Sequence, residues 1–156
     1  MSVKYVAGDL FVNRVGAEAL AHGCNCQGVM GAGVAVGFRE RYPEMYEEYR
    51  RRCKAISRRF NVGDAFLWRE PSKPAVFNLG TQENTRDQKA TYDGVRTALV
   101  NMRGLAEKAK IDAIAMPLIG AGLGGLDWNR VRPIVEEVFG EWEGIVYVYE
   151  TFVAGK

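Results

Sequence analysis

A chain of 156 residues with 47% apolar and 26% charged residues is long enough to bury a core of its own and has the balance of an ordinary globular domain. Its 21 basic and 19 acidic residues leave a net charge of +2, so no global field directs it to DNA or to a membrane surface. No apolar run reaches spanning length and no signal-peptide core is present, so we expect a cytoplasmic monomer, one domain over residues 1–156, without membrane contact.

Val3–Ala7 alternates and is rich in strand formers, a first strand ending at Gly8-Asp9. Ala17–Cys24 reads as a second strand running into a glycine-rich stretch. Gly33–Tyr42 is a short helix that must stop before Pro43, because the residue before proline disfavours the α region. Pro43 starts a second helix, Glu44 to about Ala55. Ala65–Trp68 and Ala75–Leu79 are short strands split by the loop signature Glu70-Pro-Ser-Lys-Pro74. The longest helix opens near Thr91 and runs to Lys110, with Val95, Leu99, Met102, Leu105, Ala106 and Ala109 as its apolar stripe. Ile111–Met116 is a strand, Asp127 caps a helix Trp128–Phe139 that stops at Gly140, and Ile145–Tyr149 is the last strand, reaching Phe152. Strands alternating with helices predict a three-layer α/β/α domain around a mostly parallel or mixed sheet.

Three cysteines, Cys24, Cys26 and Cys53, form an odd and sparse set. Cys24-x-Cys26 lacks the two-residue spacer of common zinc and redox pairs, and the one histidine, His22, precedes it. Strand alternation is expected to separate these side chains, so we read reduced thiols, with neither metal nor cofactor. Arg50, Arg51, Arg52, Lys54, Arg58 and Arg59 cluster beside Glu47 and Glu48; a solvated helix face accounts for them, and nucleic acid is not expected as a partner.

In open α/β sheets ligands gather where strands end. The polar and glycine-rich ends here are Gly8-Asp9, Cys24–Gly33, Asn78–Arg86 and Ile119–Gly125. Glycines at a strand–helix junction let the backbone approach a ligand, and the helix start offers unpaired N–H groups suited to phosphate. Two such loops, His22–Gly37 and Ile119–Trp128, read as two walls of one pocket.

At these residues the sequence resembles the macrodomain family of ADP-ribose-binding modules, over nearly the whole chain. The matching stretches are Tyr5-Val-Ala-Gly-Asp-Leu10, Asn25 with Met30-Gly-Ala-Gly-Val-Ala35, Met116-Pro with Ile119-Gly-Ala-Gly122, Leu126-x-Trp128 and Val146-Tyr-Val-Tyr149. It looks most like the branch of terminal ADP-ribose protein glycohydrolases and ADP-ribose-1''-phosphate phosphatases, to which the run His22–Cys26 is similar. The resemblance implies an ADP-ribose-binding macrodomain that hydrolyses a group from the distal ribose, whether an acidic protein side chain, an ester or a phosphate. The alternative is a non-catalytic reader of ADP-ribose or of ADP-ribosylated protein.

By the same resemblance Asp9, with Leu10 beside it, accepts a hydrogen bond from the adenine amine. Met30, Gly31, Gly33 and Val34 bring backbone N–H groups to the diphosphate or distal ribose, and Ile119, Gly120, Ala121, Gly122 and Leu123 wrap the diphosphate from the other side. Asn25, Gln27 and Thr81 are implied near the distal ribose, and Phe152 or Tyr149 against the adenine, while Trp128 is expected to anchor its helix. Glycohydrolases of this branch use a lysine after a threonine and an aspartate in the second loop. Here those positions read Thr81-Gln82 and Leu123-Gly124, and neither glutamine nor glycine forms a Schiff base or transfers a proton. Gln82 and His22 are left as the catalytic candidates, His22 for its pKa near neutrality.

Overall fold

The computed structural model describes residues 2–156. Six strands form one sheet: β1 (Val3–Gly8), β2 (Ala19–Asn25), β3 (Ala65–Trp68), β4 (Ala75–Gln82), β5 (Ala113–Met116) and β6 (Ile145–Phe152). Their spatial order is β1-β6-β5-β2-β4-β3, and every pairing is parallel except the antiparallel edge pair β3–β4. The five parallel strands therefore end along one rim of the sheet. β2 and β4 sit inside it, and β4 is buried from Ala75 through Thr81, as a strand covered on both faces must be.

Side-chain alternation sorts each strand between two helical layers. Ala19, Ala21, Phe77, Leu79, Ile114, Met116, Val146 and Val148 face the layer of α3 (Tyr92–Ala109) and α4 (Trp128–Phe139). Leu20, Val76, Ala115 and Tyr149 face the opposite layer, α1 (Val34–Arg41) and α2 (Pro43–Lys54). The three-layer α/β/α architecture with a mixed sheet is thus the one the alternation predicts. On α3 the stripe Val95, Leu99, Met102 and Ala106 is fully buried, each of the larger side chains contributing on the order of 1.5–3 kcal/mol. Thr91 caps α3 by accepting from Gly94 N at 3.0 Å, and Asp127 caps α4 by accepting from Asn129 N at 2.9 Å. Trp128 packs against the core between the sheet and the α3–α4 layer and donates its indole N–H to Glu150 at 2.8 Å.

Several boundaries differ from the expected ones. β5 starts at Ala113, because Lys110 takes a left-handed conformation and Ile111 N turns back to Ala106 O, which ends α3 and keeps Ile111 and Asp112 outside the ladder. β2 starts two residues later than read and extends to Asn25, following its partner β4 out to Gln82. Gly140 ends α4 with right-handed dihedrals, so the helix stops there without the left-handed turn that glycine usually supplies. The basic run is partly neutralised: Arg51 and Arg52 share Glu48, Arg52 also lies over the Phe66 ring, and Arg58 pairs with Glu83. No helix among the described residues is long and apolar enough to cross a membrane.

Candidate functional site

The rim where the parallel strands end carries a cleft of about 450 Å³, walled by the start of α1, the ends of β4 and β6, and the β5–α4 loop. Gly33 is the N-cap of α1 with φ 63° and ψ −148°, a backbone state reserved in practice for glycine. That turn leaves the N–H groups of Gly31, Ala32, Gly33, Val34 and Ala35 without an acceptor among the described residues; the first internal bond is Val36 N to Gly33 O.

Opposite, the β5–α4 loop is tied down through its carbonyls. Leu118 O accepts from Ala121 N, Gly120 O from Leu126 N, Gly122 O from Gly125 N, and Gly124 O from Ala90 N. The N–H groups of Gly120, Gly122, Leu123 and Gly124 make no hydrogen bond among the described residues. Two rows of peptide donors therefore flank one cavity, an arrangement that suits a polyanion such as a diphosphate. The loops touch at their tips, where a Cβ added to Gly33 would lie 3.2 Å from the Leu123 side chain. Leu123 at 65% and Phe152 at 72% exposure leave apolar surface on the rim of the cavity, as a ligand-binding groove does.

A second lobe of about 310 Å³ continues past Leu123 and Gln82, between the β2–α1 loop and the loop after β4. Two asparagines shape it. Asn25 donates to Val29 O at 2.8 Å while its Oδ1 accepts from Gln27 N at 3.0 Å and from the Tyr49 hydroxyl at 2.8 Å. Asn84 Oδ1 accepts from the N–H groups of Arg86, Asp87 and Gln88 at 2.9, 3.1 and 3.1 Å. Gln82 lines both lobes; its Nε2 donates to Asn84 O at 2.7 Å, which leaves Oε1 uncommitted.

The expected site residues divide clearly. Gly33, Val34, Thr81, Gln82, Ile119, Gly120, Gly122, Leu123 and Phe152 line the main cavity, and Asn25, Met30 and Gly31 line the second lobe. Thr81 is buried beneath Gly23 with its hydroxyl on Cys24 O, and Ile119 is buried at 1% exposure, so each supports the wall more than it presents a side chain. Ala121 lies behind the wall, bonded to Leu118 O. Leu10 is buried in the core around Phe38. Gln27 turns away to accept from Thr85 N at 3.2 Å. Asp9 lies at the end of β1, whose Gly8 pairs with Phe152; its carboxylate accepts from Phe11 N at 3.0 Å and Gly155 N at 3.3 Å, beside the cavity and not on its wall.

His22 is where the catalytic expectation fails. The ring is fully buried, stacked on Phe38 at 3.9 Å, with Nε2 bonded to Asn78 Oδ1 at 2.8 Å. Burial lowers its pKa to about 4, only partly offset by the bond it donates to Asn78, and it has no place on the cavity wall. A neutral, enclosed imidazole does not exchange protons with a substrate in the cleft. His22 and Cys24, two residues apart, also share one face of β2, with Sγ 3.6 Å from Nε2, contrary to the separation expected of them. Burial raises the thiols of Cys24, Cys26 and Cys53 above their ordinary range, so all three are protonated fillers of the core around Tyr49 and Phe60.

Sequence reading did not single out Glu150, Pro117 or Leu118, which also line the cavity. Pro117 and Leu118 look like strand punctuation in sequence, and Glu150 like the polar side of an edge position. Only the pairing of β6 shows where that carboxylate points.

Comparison with known proteins agrees with this layout. The Macro domain family profile matches residues 21–135. The DNA ADP-ribosyl glycohydrolase of Mycobacterium tuberculosis is 33% identical over 142 residues, 88% of this chain and 38% of that protein. That of Thermus aquaticus is 32% identical over 152 residues, 95% of this chain and 41% of that protein, so the chain spans about two fifths of the length of these curated relatives. The solved macrodomain of Thermus aquaticus DarG is 31% identical, with a TM-score of 0.83 over 95% of this chain and 97% of that one. Both cavity walls and the strands that position them fall mainly within the matched span, and the chain belongs to the Macro domain family.

Proposed function

We propose that residues 1–156 act as one unit that binds ADP-ribose and hydrolyses the bond between its distal ribose and an attached group. The observation that carries this reading is the pair of donor-lined loops facing each other across a single cavity, with Phe152 exposed at its rim. The diphosphate lies between Gly31–Ala35 and Gly120–Gly124, the base against Phe152, and the distal ribose in the second lobe beside Gln82. The names of the relatives add ADP-ribosylated DNA to the attached groups worth testing, next to acidic side chains, acetyl esters and phosphate.

The chemistry has to proceed without a lysine adduct. For a group carried on C1'', water adds to C1'' as the bond to the departing group breaks, and that group leaves with the proton. For an acetyl ester, water adds to the acyl carbon and the ribose hydroxyl leaves with the proton. Gln82, held by Asn84 O, presents Oε1 as an acceptor that orients the water. Gln82→Ala is expected to lower single-turnover rates roughly tenfold to hundredfold while ADP-ribose affinity stays within about twofold. Equal rates for the two proteins remove Gln82 from the chemistry. The substitution of Gln82 and Gly124 for the pair used elsewhere in the branch favours the second reading, a reader without turnover. A panel of glutamate-ADP-ribosylated protein, ADP-ribosylated DNA, O-acetyl-ADP-ribose and ADP-ribose-1''-phosphate separates the two: binding with no turnover on any of them selects the reader.

The binding claim has its own test. By calorimetry ADP-ribose is expected to bind at least about tenfold more tightly than AMP, because AMP reaches only one part of the cavity. Asp9→Ala is expected to weaken ADP-ribose by a further five- to tenfold or more through loss of a charged acceptor. Equal affinity for the two nucleotides overturns the two-wall pocket.

A further inference from the structure

β6 departs from regular pairing at one residue. Its register against β1 steps from Val6↔Tyr149 to Ala7↔Thr151, which leaves Glu150 as the extra residue of a bulge. A bulge breaks the alternation of side chains, and here the consecutive residues Tyr149 and Glu150 both line the cavity, with Phe152 beyond them. The Glu150 carboxylate is braced from behind by α4: Oε2 accepts from Trp128 Nε1 at 2.8 Å and from Arg132 Nη1 at 3.4 Å. Oε1 has no hydrogen-bond partner among the described residues. Arg132 is itself held by stacking 3.9 Å over the Tyr5 ring, so the brace is built across two elements.

From this geometry we infer that Glu150 selects the ribose next to the base, accepting a hydrogen bond from its 2'-hydroxyl and rejecting a 2'-phosphate. The inference rests on the ADP-ribose reading of the cavity. Glu150 stands two residues from the apolar plate Phe152, about 6–7 Å along a strand, which is the offset between a base and its own ribose. The donor rows for the diphosphate, at Gly120 and Gly33, line the same cavity as Glu150 and Phe152. A carboxylate in that position pairs with a hydroxyl donor and repels a phosphate, the same discrimination that an acidic residue gives to dinucleotide sites. The cavity would then take ligands derived from the unphosphorylated dinucleotide and refuse their 2'-phosphorylated counterparts.

The test is calorimetric titration of the full chain with ADP-ribose, 2'-deoxy-ADP-ribose and 2'-phospho-ADP-ribose, repeated on Glu150→Gln, which keeps an acceptor for the Trp128 N–H. Thermal melts of both proteins check that the variant folds. The native chain is expected to bind ADP-ribose about tenfold or more tightly than either altered ligand. In Glu150→Gln the 2'-phospho ligand is expected to come within about threefold of ADP-ribose. A native chain that binds all three alike, or a variant with the native ratio, overturns the role of Glu150 while leaving the ADP-ribose reading in place. A folded native chain that binds none of them overturns the parent reading, and this one with it.

Discussion

Gly124→Asp, which puts an aspartate where the resemblance to the glycohydrolase branch implies one, is expected to weaken ADP-ribose binding about tenfold or more and to bring no gain in turnover. A Cβ at Gly124 would stand 2.6 Å from Gly120 O and 3.0 Å from Ala90 Cβ, and the first of these is backbone that cannot rotate aside. Gly124 O also holds Ala90 N, so the loop has to move as a unit if residue 124 moves. Overpacking of this kind costs about 1–3 kcal/mol. Part of it appears as a lower melting temperature and the rest as lost affinity, because the displaced segment carries the free N–H groups of Gly120, Gly122 and Leu123. The loop is closed around glycine, and a side chain at residue 124 has no room without moving it. Calorimetry and a melt decide this: an unchanged melting temperature together with a gain in turnover overturns it.

Acid sensitivity is the second large effect. His22 titrates near 4 in the folded chain against an ordinary value of 6.5, because the enclosed ring cannot be charged at low cost. Between those values the unfolded chain binds the extra proton, so acid favours unfolding. The stability in question is fully present above about pH 6.5 and is lost as pH falls toward 4, to a total of about 3 kcal/mol. Denaturant unfolding from pH 7.5 to 5 is expected to show this slope in the native chain. His22→Gln, which keeps a donor toward Asn78, is expected to flatten it in the same window, above the range where carboxylates titrate. Identical slopes in the two proteins remove His22 as the cause.

Much of the layering was legible because periodicity reports burial directly. The α3 stripe, the Asp127 cap and the buried run of β4 each follow from the spacing of apolar residues or from one capping side chain. The two glycine loops were legible for a related reason, since glycines between a strand and a helix serve backbone geometry and little else. What stayed hidden depends on partners distant in sequence. Nothing near His22 announces the Phe38 ring beneath it or the Asn78 amide beside it, and these decide that it is structural. Gln27 looks like a free polar group until Thr85, from another loop, is seen to bind it. The bulge at Glu150 is a property of two strands at opposite ends of the chain, so no window of sequence contains it.

The two asparagine brackets have a thermodynamic consequence. Asn25 and Asn84 close their loops with hydrogen bonds made inside the protein, before any ligand arrives. Ordering a loop backbone costs about 1–2 kcal/mol per residue, and here that entropy loss is incurred on folding and not on association. A ligand entering the second lobe meets a wall already set in shape. Its affinity is then governed by how well its oxygens replace the water on the exposed peptide groups, and no disorder-to-order transition is needed to make the site.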